Sequence, residues 1–243
     1  MKRNLPNAVT CLNLLCGCLA LTFVFRGELA TGAYFVGAAA VFDFFDGLLA
    51  RALRVSSAIG KDLDSLADMV SFGVVPGAIL FHLLVRAARM ADISVTDGAE
   101  PTGFWYWLAY AGFIVTIFSA LRLAKFNNDT RQTTSFIGLP TPACTLVVAS
   151  LPLILANDRF AISGIILNPW VLLGLTIVLS GLLVAELPLF ALKFKSLRWG
   201  DNRRRFIFLL LAAGLLLALG ATAVPLVVLL YVLLSVPKSA ARG

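Results

Sequence analysis

Four aspartates lie close together in the sequence, inside an otherwise apolar stretch. The segment reads Asp43-Phe-Phe-Asp46-Gly47-Leu-Leu-Ala50-Arg51 and continues, after eight residues, as Gly60-Lys-Asp-Leu-Asp64-Ser-Leu-Ala-Asp68. At about 100° per residue, the numbered aspartates and small residues of each half share one face of a helix. If the two helices face each other, four carboxylates come together.

Clustered carboxylates in a low-dielectric site need protons, basic partners or metal ions to offset their repulsion. Only Arg51 and Lys61 are close enough in the sequence to pair with them. Oxygen ligands without histidine or cysteine suit Mg²⁺ or Mn²⁺ better than Zn²⁺. Four aspartates can hold two such ions, and paired divalent ions are a common device for displacement at phosphorus.

The residues between the aspartates fit the same chemistry. Gly47, Ala50 and Gly60 have no large side chain, so a ligand or a neighbouring helix can approach their backbone closely. Arg51 offers a planar fork of donors that matches a phosphate or pyrophosphate. The pattern therefore predicts a phosphoanhydride substrate. Carboxylates within membranes also occur in ion pathways, so a cation-coupled membrane transporter is an alternative, although the second half of the chain has no inverted repeat of the motif.

The elements that position these residues are membrane helices. Hydrophobic residues make up 60% of the 243 residues, against roughly 45–50% in soluble domains, and the mean hydropathy is +0.92. Because a span needs roughly 20 apolar residues, we predict an all-α, polytopic membrane helical bundle with about eight transmembrane helices in a single domain, 1–243. The predicted helices cover residues 8–25, 31–50, 63–85, 104–124, 140–156, 171–192, 205–220 and 222–236. Pro76 and Gly77 predict a kink in the third.

The basic residues predict the orientation in the membrane. With eight spans, most of the 20 Lys and Arg fall on one side, and the exceptions are Arg26, Arg86, Arg89 and Arg159. The positive-inside rule then places both termini and the aspartates in the cytoplasm. The net charge of +7 comes mainly from the loop between Lys193 and Arg205. At a membrane surface such a loop attracts anionic lipids, and we expect membrane lipids rather than nucleic acid as its partners.

The segment from Asp43 to Asp68 resembles the CDP-alcohol phosphatidyltransferase family. The family pattern D-x-x-D-G-x-x-A-R, eight residues, G-x-x-x-D-x-x-x-D is matched at every fixed position. Weaker similarities point to the branch of that family that uses serine. They lie at Leu5-Pro6-Asn7 with Thr10, Asn13 and Gly17, at 64–76, at 122–127 and at 136–142.

The resemblance implies transfer of a phosphatidyl group from CDP-diacylglycerol to the hydroxyl of L-serine, with release of CMP. It also implies that Asp43, Asp46, Asp64 and Asp68 ligate two divalent ions, Mg²⁺ or Mn²⁺. Asp68 is also the implied base. The positions implied to contact the CDP moiety are Gly47, Arg51 and Ser57, and we add Ala50, Gly60, Thr10 and Asn13 as candidates.

The acceptor site and the assembly are less closely defined by the sequence. Serine carries a carboxylate, so cationic and amide side chains on the same side of the membrane are the candidates for binding it: Arg122, Lys125, Asn127 and Arg131. Glycerol 3-phosphate or inositol phosphate is the alternative acceptor within the family. The resemblance further implies a homodimer, and the compact chain and the family branch indicate a bacterial inner membrane.

Overall fold

The computed structural model describes residues 4–55, 57–91, 103–128, 135–190 and 199–235. The predicted all-α bundle is confirmed, with the addition of one small two-stranded ladder. The helices are α1 Leu5–Phe25, α2 Leu29–Leu53, α3 Ala58–Asp68, α4 Val75–Ala91, α5 Phe104–Ala109, α6 Ile114–Asn128, α7 Thr141–Asn157, α8 Ser163–Ile166, α9 Pro169–Val184, α10 Trp199–Leu219 and α11 Ala223–Ser235. The strands are β1 Ser135–Ile137 and β2 Pro188–Phe190.

Five helical stretches of the described chain are long and apolar enough to cross a membrane: Leu5–Phe25, Leu29–Leu53, Ala58–Met90, Tyr106–Asn128 and Asn202–Ser235. Two shorter apolar helices, Thr141–Asn157 and Pro169–Val184, complete the set. The last long stretch contains α10 and α11, which pack against each other. Gly220 separates them with a φ of 58°, a left-handed conformation that glycine adopts without strain. The eight predicted helices therefore each have a counterpart.

The predicted sixth helix is too long at its C-terminal end. It was expected over 171–192, but α9 stops at Val184 and the chain continues into β2. Pro188 cannot extend a helix because it has no N–H to donate. The carbonyl of Leu182 instead accepts a hydrogen bond from the Leu139 N–H at 2.8 Å, so the end of α9 is tied to the segment that follows β1.

A π-helical segment, Met69–Val74, joins α3 to α4. Pro76 and Gly77, where the sequence predicts a kink, lie in the first turn of α4, which begins at Val75 directly after this segment. Pro76 has no N–H to offer the carbonyl of Phe72 four residues earlier. That carbonyl accepts a hydrogen bond from the Thr145 hydroxyl of α7 at 2.8 Å.

Two further hydroxyl groups fix the π-helical segment to its neighbours. Thr116 of α6 donates to the carbonyl of Gly73 at 2.9 Å. Ser71 of the segment donates to the carbonyl of Asn13 in α1 at 3.1 Å. Helices α1, α6 and α7 therefore hold the chain immediately after Asp68, where π-helical turns leave backbone groups to be satisfied from outside.

The core of the bundle is built around α4. Its apolar side chains Ile79, Leu80 and Leu83 are fully buried, and they belong to a cluster that extends over most of the described helices. Burying such side chains stabilises a fold by about 1.5–3 kcal/mol each in water, and in a membrane close packing takes over that role. Asp64 and Asp68 lie at the α3 end of this continuous helical stretch, so its packed core holds these two aspartates in position.

Candidate active site

Three carboxylates meet where α2 faces α3. Asp43, Asp64 and Asp68 each place one oxygen within 4.8 Å of the other two. The first comes from α2, and the other two lie one turn apart on α3. All three side chains are partly buried, so water screens their mutual repulsion poorly. The arrangement calls for a cation between them.

The fourth aspartate, Asp46, stands beside this group. Only 6% of the residue is exposed, and its Oδ2 has no hydrogen-bond partner among the described residues. An unpaired buried carboxylate oxygen is costly. The oxygen-only donor set and this orphaned atom fit a hard divalent ion such as Mg²⁺ or Mn²⁺.

A cleft of about 250 Å³ opens next to the carboxylates. Helices α1, α2 and α3 and the turn between the last two form its walls. Seven of the residues predicted from the sequence line the cleft, five as contacts of the CDP moiety and two as metal ligands: Thr10, Gly47, Ala50, Ser57 and Gly60, with Asp46 and Asp64. Pro6, Asn7, Val55 and Lys61 complete the lining.

The absence of a side chain has different consequences at the two glycines of the motif, Gly47 and Gly60. A Cβ added to Gly47 would meet only the Arg51 guanidinium, at 3.9 Å, so this backbone faces open space in the cleft. A Cβ added to Gly60 would lie 2.9 Å from both Asn7 Oδ1 and Ser57 Oγ. Gly47 therefore leaves room for a ligand, whereas Gly60 allows α1 and α3 to approach each other.

This difference predicts opposite effects of substitution. Gly47→Leu is expected to fill the cleft and to raise KM for the nucleotide substrate about tenfold, which corresponds to about 1.4 kcal/mol, without lowering Tm. Gly60→Ala is expected to lower Tm, because overpacking typically costs about 1–3 kcal/mol. Turnover kinetics and thermal unfolding of both purified variants check this. Equal loss of Tm in the two variants would contradict it.

Ser57 lines the cleft at the start of α3, whereas Arg51, near the end of α2, is not among the lining residues in the described structure. Ser57 is the N-cap of α3, and its Oγ accepts a hydrogen bond from the Gly60 N–H at 3.0 Å. The N-terminus of α3, the positive end of its dipole, therefore lies at the cleft. Arg51 is exposed, and its guanidinium lies near Gly47. Both features suit a phosphate group.

The predicted acceptor residues are spread over the end of α6. Arg122 is 5% exposed, with its guanidinium carbon 5.2 Å from the Phe126 ring centroid, while Lys125 is exposed. The remaining predicted residue, Arg131, lies outside the described residues.

Asn127 links α6 to α3 close to the carboxylates. Its Nδ2 donates to Ser65 Oγ at 2.8 Å, and its carbonyl accepts from Lys61 Nζ at 3.1 Å. These contacts leave Lys61 at the edge of the cleft and fix the end of α6 beside the helix that carries two of the aspartates.

Asn13 occupies a different place from the other α1 residues predicted to bind the nucleotide. It is fully buried and is absent from the lining of the cleft in the described structure. Its Nδ2 donates to Asp68 Oδ1 at 3.2 Å. Thr10, one turn earlier, does line the cleft.

Pro6 and Asn7 were not predicted as site residues, although both line the cleft. The available signal was helical spacing, because Asn7 precedes Thr10 by three residues and Pro6 precedes it by four. The same face of α1 therefore runs past both the cleft and the carboxylates.

Comparison with known proteins agrees with the resemblance. The CDP-alcohol phosphatidyltransferase family model matches residues 3–181. The chain is 29% identical over 173 residues to the CDP-diacylglycerol–serine O-phosphatidyltransferase of Bacillus subtilis, covering 68% of this chain and 86% of that protein. It is 28% identical over 214 residues to the Helicobacter pylori (strain J99) protein of the same name, covering 86% and 80%. It is 29% identical over 148 residues to the archaetidylserine synthase of Methanothermobacter thermautotrophicus, covering 60% and 56%.

Proposed function

Because this chain belongs to the CDP-alcohol phosphatidyltransferase family, we propose that it transfers the phosphatidyl group of CDP-diacylglycerol to the hydroxyl of L-serine and releases CMP. The observation that carries the proposal is the group of three carboxylates beside a cleft lined by the rest of the motif. The names of the bacterial relatives support serine as the acceptor.

The family uses divalent metal, and the carboxylates of this chain could hold a metal ion. We assign this role to all four aspartates of the motif, with two Mg²⁺ or Mn²⁺ ions. Asp46 belongs to the set because its buried Oδ2 needs a partner. When bound, such ions neutralise the pyrophosphate and stabilise the departing CMP.

In the proposed reaction, the CDP moiety occupies the cleft between α1, α2 and α3. Gly47 leaves space for it, and Arg51 and the N-terminus of α3 bind phosphate oxygens. Because the helices that form the cleft belong to stretches long and apolar enough to cross a membrane, the two acyl chains can remain among lipids. Binding in this way directs the phosphorus of the phosphatidyl group toward the carboxylates.

Asp68 acts as the general base. It accepts the proton of the serine hydroxyl while the serine oxygen forms a bond to the phosphatidyl phosphorus. The bond between that phosphorus and the anhydride oxygen breaks, and CMP leaves with the electron pair. The products are phosphatidylserine, CMP and the proton held by Asp68, so the reaction needs no oxidant or further reactant.

For the acceptor we keep the end of α6 as the proposed binding region, with Arg122, Lys125, Asn127 and Arg131. A buried guanidinium at Arg122 suits the single carboxylate of serine. We also propose a homodimer of single-domain chains in a bacterial inner membrane, with both termini and the aspartates in the cytoplasm. The distribution of Lys and Arg supports this orientation.

The identity of the acceptor can be tested with purified protein in detergent. Serine, glycerol 3-phosphate and inositol phosphate are supplied separately with CDP-diacylglycerol and Mn²⁺ or Mg²⁺, and the lipid product is identified by mass spectrometry. We expect phosphatidylserine with serine and no product with the other two. A phosphorylated lipid product formed only with another acceptor would keep the site and overturn serine as the substrate.

A further inference from the structure

The contact between Asn13 and Asp68 joins α1 to the proposed base. The Asn13 side chain is fully buried, and its Nδ2 donates to Asp68 Oδ1 at 3.2 Å. An amide that donates to one carboxylate oxygen restricts rotation of the carboxyl group. It thereby fixes the direction in which the other oxygen can accept a proton.

The backbone around Asn13 is also held in place. Its carbonyl accepts a hydrogen bond from Ser71 Oγ at 3.1 Å, and Ser71 lies in the π-helical segment that follows Asp68. One turn further along α1, a Cβ on Gly17 would collide with Ser71 Oγ and would lie 3.0 Å from its Cα. The helix that carries the amide and the chain that carries the carboxylate are thus in direct contact.

The second polar atom of the Asn13 amide, Oδ1, makes this position unfavourable for stability. Asn13 Oδ1 is buried and has no hydrogen-bond partner among the residues that the structure describes. A buried, unsatisfied acceptor is destabilising by about 1–3 kcal/mol. An apolar side chain of similar size would avoid that penalty but would also remove the donor to Asp68, so the contact with the carboxylate is what an asparagine provides at this position.

We infer that Asn13 is a positioning residue that orients the Asp68 carboxylate for proton transfer, rather than a residue that binds the nucleotide. This inference rests on the proposed function, because it concerns the base of that reaction. It follows that different residues of α1 have different roles. Asn7 and Thr10 line the cleft, while Asn13, on the same helix face, serves the carboxylate.

The test compares Asn13→Leu and Asn13→Asp with Asn7→Ala. Asn13→Leu removes the donor at similar volume, and Asn13→Asp keeps the shape but places a further acidic group against Asp68. We expect each to lower kcat by about 10- to 100-fold, the usual effect of removing a group that orients a reactive ligand, with KM for CDP-diacylglycerol changed less than about threefold. Asn7→Ala is expected to do the opposite: it should raise KM for CDP-diacylglycerol and change kcat less. Leu12→Ala, on the exposed side of α1, is the control that should match wild type.

Two measurements that do not depend on turnover complete the test. Thermal unfolding of Asn13→Leu should give a Tm close to that of wild type, because removal of the unsatisfied acceptor offsets the loss of the donor to Asp68, and CMP should raise the Tm of both proteins equally. If Tm falls together with kcat, Asn13 is a structural residue. If CMP no longer raises the Tm of Asn13→Leu, Asn13 binds the nucleotide. Either result overturns the inference. A wild-type protein that binds CMP but releases none from CDP-diacylglycerol with any acceptor would instead overturn the proposed function, and the inference with it.

Discussion

Replacing Asp68 by asparagine is expected to abolish serine-dependent CMP release, with kcat reduced at least about 10²- to 10⁴-fold, the range that a positioned base contributes. The amide has nearly the same shape as the carboxylate but cannot accept the serine proton. Asp68 also lies in the group of three carboxylates, so the same substitution removes one negative ligand. Turnover of the purified variant with saturating CDP-diacylglycerol and serine measures the effect.

A matched control exists on the same helix. Asp62 is exposed and lies off the face that carries Asp64 and Asp68, so Asp62→Asn is expected to keep wild-type turnover. Thermal unfolding of both variants shows whether they remain folded. An Asp68→Asn protein with near-normal kcat would remove Asp68 from the role of base.

Replacing Gly17 by leucine is expected to cause the largest combined loss of stability and activity outside the aspartates. A Cβ at this position collides with Ser71 Oγ and comes within 3.0 Å of the Ser71 backbone, and backbone cannot move aside as a flexible side chain can. Overpacking typically costs about 1–3 kcal/mol. Because Ser71 follows Asp68 closely, separating α1 from the π-helical segment also disrupts the contact between Asn13 and Asp68.

Gly37→Leu provides the comparison for this prediction. Gly37 lies in α2, and a Cβ there meets nothing within 4 Å. We expect its Tm and turnover to stay close to wild type, while Gly17→Leu loses both. Similar behaviour of the two variants would mean that the contact between α1 and Ser71 does not support the site.

The helical spacing of the motif was sufficient to predict that the aspartates meet. Asp64 and Asp68 are four residues apart, and this places them on one face of any helix. The spacing could not show which neighbouring group lies against each small residue. Gly47 and Gly60 look alike in the sequence and both line the cleft, yet an added Cβ would have free space at Gly47 and would meet Asn7 at Gly60, a difference set by how α1 packs on the two helices.

The local sequence pattern could not predict features that depend on residues far apart in the chain. The π-helical segment relies on Thr145, which donates to the carbonyl of Phe72 from another helix, whereas the local sequence indicates only a proline kink. The strands β1 and β2 have three residues each, too few for an alternating pattern to emerge. Their pairing ends α9 earlier than apolar composition predicts.

Asn13 illustrates the same limit within the site. It shares a helix face with Thr10, so spacing groups it with the residues that line the cleft. The structure separates them because Asn13 contacts Asp68 and Ser71, whereas Thr10 lines the cleft. Only the packed arrangement distinguishes a residue beside the nucleotide from one beside the carboxylates.

The measurement that tests the central claim most directly follows CMP release from CDP-diacylglycerol by the purified protein, with and without serine and with and without a chelator. The account predicts release that requires serine, stops when the chelator is added and returns when Mg²⁺ or Mn²⁺ is restored in excess. Release that continues undiminished in the chelator would contradict a metal-dependent role for the four aspartates. Absence of release with any acceptor from a folded protein would contradict phosphatidyl transfer itself.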